Sequence, residues 1–336
     1  MNLSKRIILK NYLLFVVYLV LAGVFLCGCS QKKEKVYKVG ILSGLDFFAD
    51  VADGFKEKMT MLGYSEGKNI IYDLQKTNFD MAAYKRILKK FVADKVDMIF
   101  VFPSEASIEA KAATQGTNIP VVFAIVNVEG LGLINNIKEP GGNITGVRWP
   151  GPYIALQRFK IMCELVPQVK RMWIPYKKDY PIVKYQLETL RQTAESAGIA
   201  LIEVPAINAA ELEVELQKRA NSINNTDAIL IIAEPLLVTP EAFIVLAKFA
   251  NEHNIPIGGA LIKVNNYESL FGMTPRNVII GRQAAFIADK ILSGIPAGTI
   301  PVDSAEGYFQ INCKAAKKMG LIVPENLLKK ADEKIN

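Results

Sequence analysis

Runs of apolar residues alternate with amphipathic segments along this chain, and the alternation predicts strands that are each followed by a helix. The runs at 96–103 and 119–126 are nearly continuous, which is typical of strands buried on both faces of a parallel sheet. The segment opened by Asp80 has a 3.6-residue apolar period and predicts an amphipathic helix. Its apolar stripe consists of Tyr84, Ile87, Leu88, Phe91 and Val92. By the same criteria, further strands are predicted at 38–44, 69–75, 171–176, 200–206, 227–235, 255–262 and 308–312.

This strand–helix rhythm runs through the chain twice, which predicts an α/β protein with two doubly wound parallel-sheet lobes. We expect an N-terminal lobe of residues 36–147 plus about 274–303, and a C-terminal lobe of residues 148–273 plus about 304–336, joined by a multi-strand hinge. Ligands of such sheets bind beyond the carboxyl ends of the strands. The strand-end loops of the two lobes are therefore expected to line one cleft.

The first 28 residues have the layout of a secretory signal, with three basic residues followed by an uncharged stretch over 11–30. A stretch of this length can also span a bilayer as a retained anchor. It ends in Leu26-Cys27-Gly28-Cys29, which resembles a bacterial lipobox. We expect cleavage before Cys29 and lipidation of its thiol, with residues 29–35 as a tether. On either alternative the rest of the chain lies outside the cytoplasm, held at a membrane.

The charge balance argues against a nucleic-acid partner. The chain carries 40 Lys and Arg side chains and 33 Asp and Glu side chains, and three of the basic residues lie within the first 28 positions. The remaining basic excess is spread over mixed-charge segments that are typical of solvated helix faces. It forms no basic stripe with interleaved aromatic residues.

Cysteine and histidine usage predicts neither a metal site nor a cofactor. Cys163 and Cys313 are the cysteines left beyond the signal segment. They can pair outside the cytoplasm, and the alternative is two buried thiols that pack as small hydrophobic groups. The chain has one histidine and no Cys-x-x-Cys pair, so a site built from these ligands is not expected.

A series of motifs occurs in a characteristic order along residues 36–333. Gly63-Tyr64 is followed by Glu66-Gly67-Lys68-Asn69, and the motif of greatest weight is PGGNITGV at 140–147. The other motifs are KVDMIFV, NIPVVFAIV, ELVPQVKRM, ILSGIPAGTIPV and INCKAAKKMGLIVPENLLKKAD. With these motifs the chain resembles the ABC transporter substrate-binding proteins of the tryptophan/tyrosine-type family. The resemblance implies the type I periplasmic binding protein fold.

The chain departs from this family at three strand ends. Asn127-Val128-Glu129 stands where the family usually has Asp-Pro-Val. YKKDYP at 176–181 replaces a Glu-x-Asn-Ser pattern, and Glu234-Pro235 stands where an Asp is common. The resemblance therefore implies the scaffold more strongly than a preference for aromatic amino acids.

The loops that follow the predicted strands hold the candidate ligand-binding residues. In the N-terminal lobe these are Ser43, Gly44, Leu45, Asp46, Ser104, Glu105 and Asn127. In the C-terminal lobe they are Tyr176, Asp179, Tyr180, Glu234, Pro235 and Ala260. Hydroxyl groups and helix N-termini suit a carboxylate, acidic side chains suit an ammonium group, and aromatic rings suit a flat side chain. The set predicts a site for a small zwitterion or acid.

Some of these residues also have a purely structural interpretation. Ser104 starts a predicted helix, so its hydroxyl can cap that helix instead. Asp46 can be solvated in a loop. Glu234 directly follows an apolar run, which makes it the more telling of the acidic candidates.

The PGGNITGV motif combines a flexible turn with short polar side chains. It lies where the first lobe is expected to pass to the second, so we interpret it as a structural crossover. A direct ligand site is the alternative. The residues assigned to the hinge are Gly142, Asn143, Thr145 and Gly146.

The leading functional hypothesis is a lipid-anchored, monomeric solute-binding protein. It would bind a small molecule between its lobes, close about the hinge and present the ligand to an ABC permease and its ATPase. The alternative is an extracytoplasmic ligand-sensing protein that feeds a signalling receptor, since this needs the same cleft. An α/β enzyme is not expected, because the chain lacks a Gly-x-Ser-x-Gly elbow and has His253 as its single histidine.

Overall fold

The computed structural model describes residues 35–44, 48–220 and 227–336. The predicted signal peptide, Cys29 and nearly all of the tether lie outside the described residues. No helix of the described part is long and apolar enough to cross a membrane. Residues Tyr37–Asn336 form one compact unit.

Strands and helices alternate along this unit. The strands are β1 (Tyr37–Ser43), β2 (Ile70–Lys76), β3 (Met98–Phe102), β4 (Val121–Val126), β5 (Ile144–Arg148), β6 (Arg171–Lys177), β7 (Ala200–Ala206), β8 (Ala228–Leu230), β9 (Ile257–Gly258), β10 (Lys263–Val264), β11 (Tyr267–Glu268), β12 (Phe271–Pro275), β13 (Asp303–Ser304), β14 (Gly307–Asn312) and β15 (Glu333–Ile335). The helices are α1 (Ala49–Met61), α2 (Met81–Ala93), α3 (Ser104–Ala113), α4 (Gly151–Leu165), α5 (Val183–Ser196), α6 (Ala209–Ala220), α7 (Pro240–Glu252), α8 (Asn277–Leu292), α9 (Cys313–Lys318) and α10 (Glu325–Lys330).

The first sheet has six parallel strands in the order β13-β5-β4-β3-β1-β2. The second sheet has four parallel strands in the order β7-β6-β8-β9. In a parallel sheet all the carboxyl ends lie at one edge. Each sheet therefore gathers its strand-end loops on one side, as the sequence predicts.

A smaller sheet of β12-β14-β15 continues the second sheet. The two are joined by backbone hydrogen bonds: Leu270 N donates to Ile257 O (2.8 Å) and Met273 N donates to Gly259 O (2.7 Å). Strand β12 is antiparallel to β14, whereas β14 and β15 are parallel. This extension brings residues from the end of the chain onto the second sheet.

Apolar layers cover both faces of each parallel sheet. On the first sheet, α1 and α8 form one layer, and α2 and α3 form the other. On the second sheet, α4 and α5 cover one face, and α6 and α7 cover the opposite face. The predicted α/β class with doubly wound parallel sheets is confirmed.

Within the described ranges the chain passes between the two sheets along three segments. These are residues 148–151 after β5, 275–277 before α8, and 304–307 before β14. The connectivity agrees with a multi-strand hinge. The boundaries of the two lobes stay a prediction.

Two predicted strands are much shorter than expected, so the prediction of full strands at 227–235 and 255–262 is wrong. Beyond β8 the backbone carbonyl of Ile231 accepts a hydrogen bond from Arg158 Nη1 (3.1 Å), a side chain of α4. Beyond β9 the backbone turns at Gly259, whose φ of 141° lies outside strand geometry. Burial explains the misleading apolar pattern, because these residues are packed inside the protein without being in a strand.

The two remaining cysteines are free thiols. Cys163 and Cys313 are not paired, and both are partly buried against the core of the second sheet rather than fully buried as the second alternative expects. Burial raises the pKa of the Cys163 thiol to about 11. A thiol in such surroundings is largely protonated and unreactive at neutral pH.

Helices α1 and α8 cross on the first sheet with their backbones in close contact. A Cβ atom at Gly54 would lie 2.9 Å from Val278 Cα, and one at Gly281 would lie 2.7 Å from Phe55 N. The distance between packed helices depends on the side chains at their contact. Glycine at these two positions therefore allows α8, from late in the chain, to pack tightly against α1.

Gly54→Ala is expected to lower the free energy of unfolding by about 1–3 kcal/mol, because its methyl group overpacks this contact. Chemical denaturation of the chain from Ser30 onward measures the loss. Asp53→Ala changes the exposed neighbouring residue of the same helix and is expected to stay within about 0.5 kcal/mol of wild type. Equal effects of the two substitutions would rule out the packing argument.

Candidate functional site

The carboxyl edge of the first sheet brings together candidates from three strand ends. Ser43 ends β1 and Gly44 follows it, and Gly44 N donates to Phe102 O at the end of β3 (2.8 Å). Ser104 and Glu105 open α3 one residue further on. Their side chains make no hydrogen bond or ion pair with any described residue, so the predicted helix-capping role of Ser104 is not observed. Both residues are half-buried at this edge.

Asn127 follows β4 at the same edge. The strand end before it is irregular: the register of β4 against β5 shifts between Ala124 and Val126, and Ile125 has a φ of 53°. Positive φ is a genuine outlier for a β-branched residue and indicates a strained segment. Asn127 is 8% exposed, and its buried Oδ1 has no hydrogen-bond partner in the described structure. This oxygen can therefore accept a hydrogen bond from a ligand.

Tyr180 connects the two sheets electrostatically. It lies in the loop after β6 of the second sheet and is half-buried. Burial raises the pKa of Tyr180, and the negative charges of Glu105 and Glu234 raise it further. The charges of carboxylates at the ends of both sheets therefore act on one phenol.

Glu234 is held firmly by the backbone after β8. It is 5% exposed, and its carboxylate accepts hydrogen bonds from the N–H groups of Lys177 (3.2 Å), Leu236 (2.8 Å) and Leu237 (2.6 Å). Burial raises the pKa of Glu234, although these three bonds favour its charged form. The structure thus gives this side chain a loop-organising role in addition to its charge.

Arg158 of α4 binds the backbone of the same region through its guanidinium. Its guanidinium is 1% exposed and donates from Nε (2.9 Å) and Nη2 (2.6 Å) to Met273 O and from Nη1 to Ile231 O. Burial lowers the pKa of Arg158 to about 9, and the charge of Glu234 counteracts this effect. A buried guanidinium is retained only where its donors and its charge are matched. Arg158 ties the end of β8 to β12 next to a crossing segment.

Four other candidates of the second sheet lie in different surroundings. Tyr176 donates its hydroxyl hydrogen to Glu203 Oε2 on β7 (3.1 Å). Asp179 is exposed in a turn with a φ of 57°. Pro235 is half-buried beside Glu234, whereas Ala260 is 1% exposed and packs in the core between the second sheet and α7. Of the predicted N-terminal set, Leu45 and Asp46 lie outside the described residues.

The PGGNITGV motif lies inside the first sheet. The predicted hinge residues are Gly142, Asn143, Thr145 and Gly146. They precede or form the start of β5, and the crossing segment begins only at Arg148. Asn143 Nδ2 donates to Ile119 O (2.6 Å) and Thr145 Oγ1 donates to Ile300 O (2.8 Å). These contacts favour a structural role at the amino edge of the sheet, which is opposite to the candidate site.

Several residues that shape the site escaped prediction. Arg158 and Gln186 occupy the apolar faces of their helices, and a lone polar residue in an apolar stripe was the signal that could have found them. Gln186 Nε2 donates to Ala233 O (2.6 Å) and its Oε1 accepts from Ala233 N (3.0 Å). Gly130 and Tyr185 carried no such signal, because only the fold brings them together.

The site as a whole is rich in hydrogen-bond acceptors. Glu105, Asn127 and Tyr180 offer oxygens from both sheets, which suits a ligand with an ammonium or other donor group. Among the described residues, no group of three or more His, Cys, Asp or Glu side chains is placed to hold a metal ion. That these strand-end residues form a binding site stays a prediction.

A family comparison agrees with this geometry. The model of the family described as "ABC transporter substrate binding protein" matches residues 39–335. The chain therefore belongs to this family of solute-binding proteins, as its motifs predict. Over 322 residues it is 26% identical to a tyrosine-binding protein of Clostridioides difficile (strain R20291), a match that covers 87% of this chain and 88% of that protein.

Solved structures share the fold. A conserved domain protein from Vibrio cholerae has a TM-score of 0.74 and 25% identity over 89% of this chain and 100% of that chain. A protein from Streptococcus pneumonia in complex with L-Trp has a TM-score of 0.73 and 22% identity, and it covers 90% and 100% of the two chains. These likenesses confirm the type I periplasmic binding protein fold.

Arg158→Met is expected to lower the free energy of unfolding by about 3–5 kcal/mol, because it leaves the carbonyl groups of Met273 and Ile231 without their donor and removes the positive charge that acts on buried Glu234. Urea denaturation of the chain from Ser30 onward measures this. Arg86→Met, on the exposed face of α2, is the matched control and is expected to change stability little. A loss no larger than that of the control would contradict the structural role of Arg158.

Proposed function

We propose that this chain is an extracytoplasmic, lipid-anchored solute-binding protein that delivers a small molecule to an ABC importer by hinge closure. The observation that carries the proposal is the position of Tyr180. It lies in the loop after β6 of the second sheet, and burial and the charges of Glu105, at the edge of the first sheet, and Glu234 raise the pKa of its phenol. A ligand at this point contacts both sheets, so its binding favours the closed arrangement.

The ligand we propose is an amino acid or a related small polar or aromatic compound. The acceptors Glu105 and Asn127 suit an ammonium group, and Tyr180 offers a ring face to a flat side chain. Two proteins similar to this chain support this class: one is named tyrosine-binding, and the other was solved with L-Trp. Because Asn127 and Glu234 depart from the family pattern, binding should be tested with many compounds of this class and not with Tyr and Trp alone.

The closed form is proposed to be what the permease and its ATPase recognise. We propose that the protein acts as a monomer, since one chain carries both halves of the site. Lipidation of Cys29 would hold it at the outer face of the membrane, and the residues that follow would act as a tether.

A ligand of this class is expected to stabilise the purified chain from Ser30 onward by about 2.7 kcal/mol at a hundredfold excess over its dissociation constant, since it binds the native state alone. Thermal unfolding with amino acids, nucleosides, sugars and small acids measures this stabilisation. Mass spectrometry of the molecule that co-purifies with the protein identifies the ligand independently.

Glu105→Gln should raise the dissociation constant of an ammonium-bearing ligand by about tenfold or more, because it removes a charge-assisted hydrogen bond.

Glu109→Gln is the matched control, because Glu109 lies on the same helix and has no ion-pair partner among the described residues. It should leave the dissociation constant unchanged. The absence of any stabilising compound, together with no co-purified molecule, would refute the proposed function. Equal weakening by both substitutions would refute the assignment of Glu105 alone.

Cys29→Ala is expected to release the protein from the membrane fraction of expressing cells, because it removes the thiol that would carry the lipid. Fractionation and metabolic labelling with a radioactive fatty acid measure both effects. Cys27→Ala is the control and should keep the label. Retention of the label by Cys29→Ala would exclude the proposed anchor.

A further inference from the structure

A tyrosine on a helix that covers the second sheet contacts a glycine in a strand-end loop of the first sheet. Gly130 lies in the loop after β4 and has a φ of 73°. A Cβ atom at this position would overlap the hydroxyl oxygen of Tyr185 and would lie 2.9 Å from its Cε2. Tyr185 belongs to α5, which packs on the second sheet. The tip of its ring therefore occupies the space that any side chain at position 130 would need.

The loop that carries Gly130 is fixed to the first sheet on both sides of the contact. Glu129 Oε1 accepts from Arg148 Nη1 (2.8 Å), and Arg148 Nε donates to Ser304 Oγ (2.9 Å). On the other side, Lys111 Nζ donates to Gly132 O (2.8 Å). These bonds hold the loop against the ends of β5 and β13, so Gly130 has little freedom to follow a moving partner.

Tyr185 is fixed to the second sheet in the same way. The next residue, Gln186, exchanges two hydrogen bonds with the backbone of Ala233 in the loop after β8. A Cβ atom at Gly151 would lie 3.6 Å from Gln186 Cδ and 2.5 Å from Asn127 Oδ1. The segments that carry Tyr185 and Gly130 are therefore each held by hydrogen bonds to their own sheet, and the contact between the two residues lies close to Asn127.

We infer that Gly130 and Tyr185 are positioning residues for ligand binding: their contact holds the strand ends of the two sheets together and so sets the affinity of a ligand that neither residue touches. The inference rests on the proposed function. We take the contact to form when the sheets approach, so that it adds its free energy to the closed arrangement alone. A ligand that binds the closed arrangement gains affinity in proportion to the population of that arrangement.

A double-mutant cycle on the chain from Ser30 onward tests the inference. The probe is the compound that co-purifies with wild type or stabilises it most. Gly130→Ala displaces the ring and Tyr185→Ala removes it, so each should raise the dissociation constant by about tenfold, mainly through faster dissociation. Because both variants lose the same contact, the double variant should be no weaker than either single variant.

Gly132→Ala is the matched control. Gly132 lies in the same loop with a φ of 60°, but a Cβ atom there meets no other atom within 4 Å. This variant carries the backbone strain of an alanine at positive φ without touching Tyr185. It should bind like wild type, so a loss of affinity equal to that of Gly130→Ala would assign the effect to strain and overturn the inference.

Small-angle X-ray scattering provides a readout that needs no known ligand. Loss of the contact should raise the radius of gyration of Gly130→Ala and Tyr185→Ala but not of Gly132→Ala. If wild type binds no compound, the proposed function fails while the scattering comparison still decides the role of the contact. Unchanged dimensions would overturn the inference in that case. Where a ligand is found, unchanged dissociation constants or additive losses in the cycle would overturn it.

Discussion

The fully buried guanidinium of Arg158 is the interaction on which the second half of the site depends. Such a group is stable inside a protein only when its donors and its charge are matched. Here Met273 O and Ile231 O accept its hydrogen bonds, and Glu234 supplies the opposing charge. Through these bonds Arg158 fixes the backbone at Ile231, just beyond the end of β8, and joins it to β12. A hydrogen-bonded buried charge thus determines where the backbone leaves the sheet and where Glu234 stands.

The part of the candidate site on the first sheet depends instead on the strained end of β4. Ile125 has a positive φ, and the bulge it creates directs Asn127 into a buried position with an unpartnered oxygen. Backbone strain of this kind persists only where surrounding contacts enforce it. The Glu129–Arg148 ion pair, in which Arg148 also donates to Ser304, supplies such a contact at the point where the chain leaves the first sheet. The geometry of the loop is therefore coupled to the crossing segments.

Sequence patterns predicted the fold well, and the site they indicate stays a prediction. The alternation of apolar runs and amphipathic helices identified both parallel sheets, and Glu105, Asn127 and Tyr180 follow strand ends as the patterns predict. The same patterns overestimated the strands at 227–235 and 255–262, because apolarity reports burial and not backbone geometry. They also assigned Gly142 and Asn143 to the hinge, whereas these residues stand at the opposite edge of the first sheet.

The sequence by itself determined most of the strands and helices, because hydrophobic periodicity and capping residues such as Asp80 are local properties. It also determined the family, through motifs distributed in order along the chain. Only the tertiary structure decided that Arg158 binds the carbonyl groups of Ile231 and Met273 and that Tyr185 rests on Gly130. These pairs are far apart in sequence and belong to different elements. Their energies come from burial and close approach, which exist only once the sheets have formed.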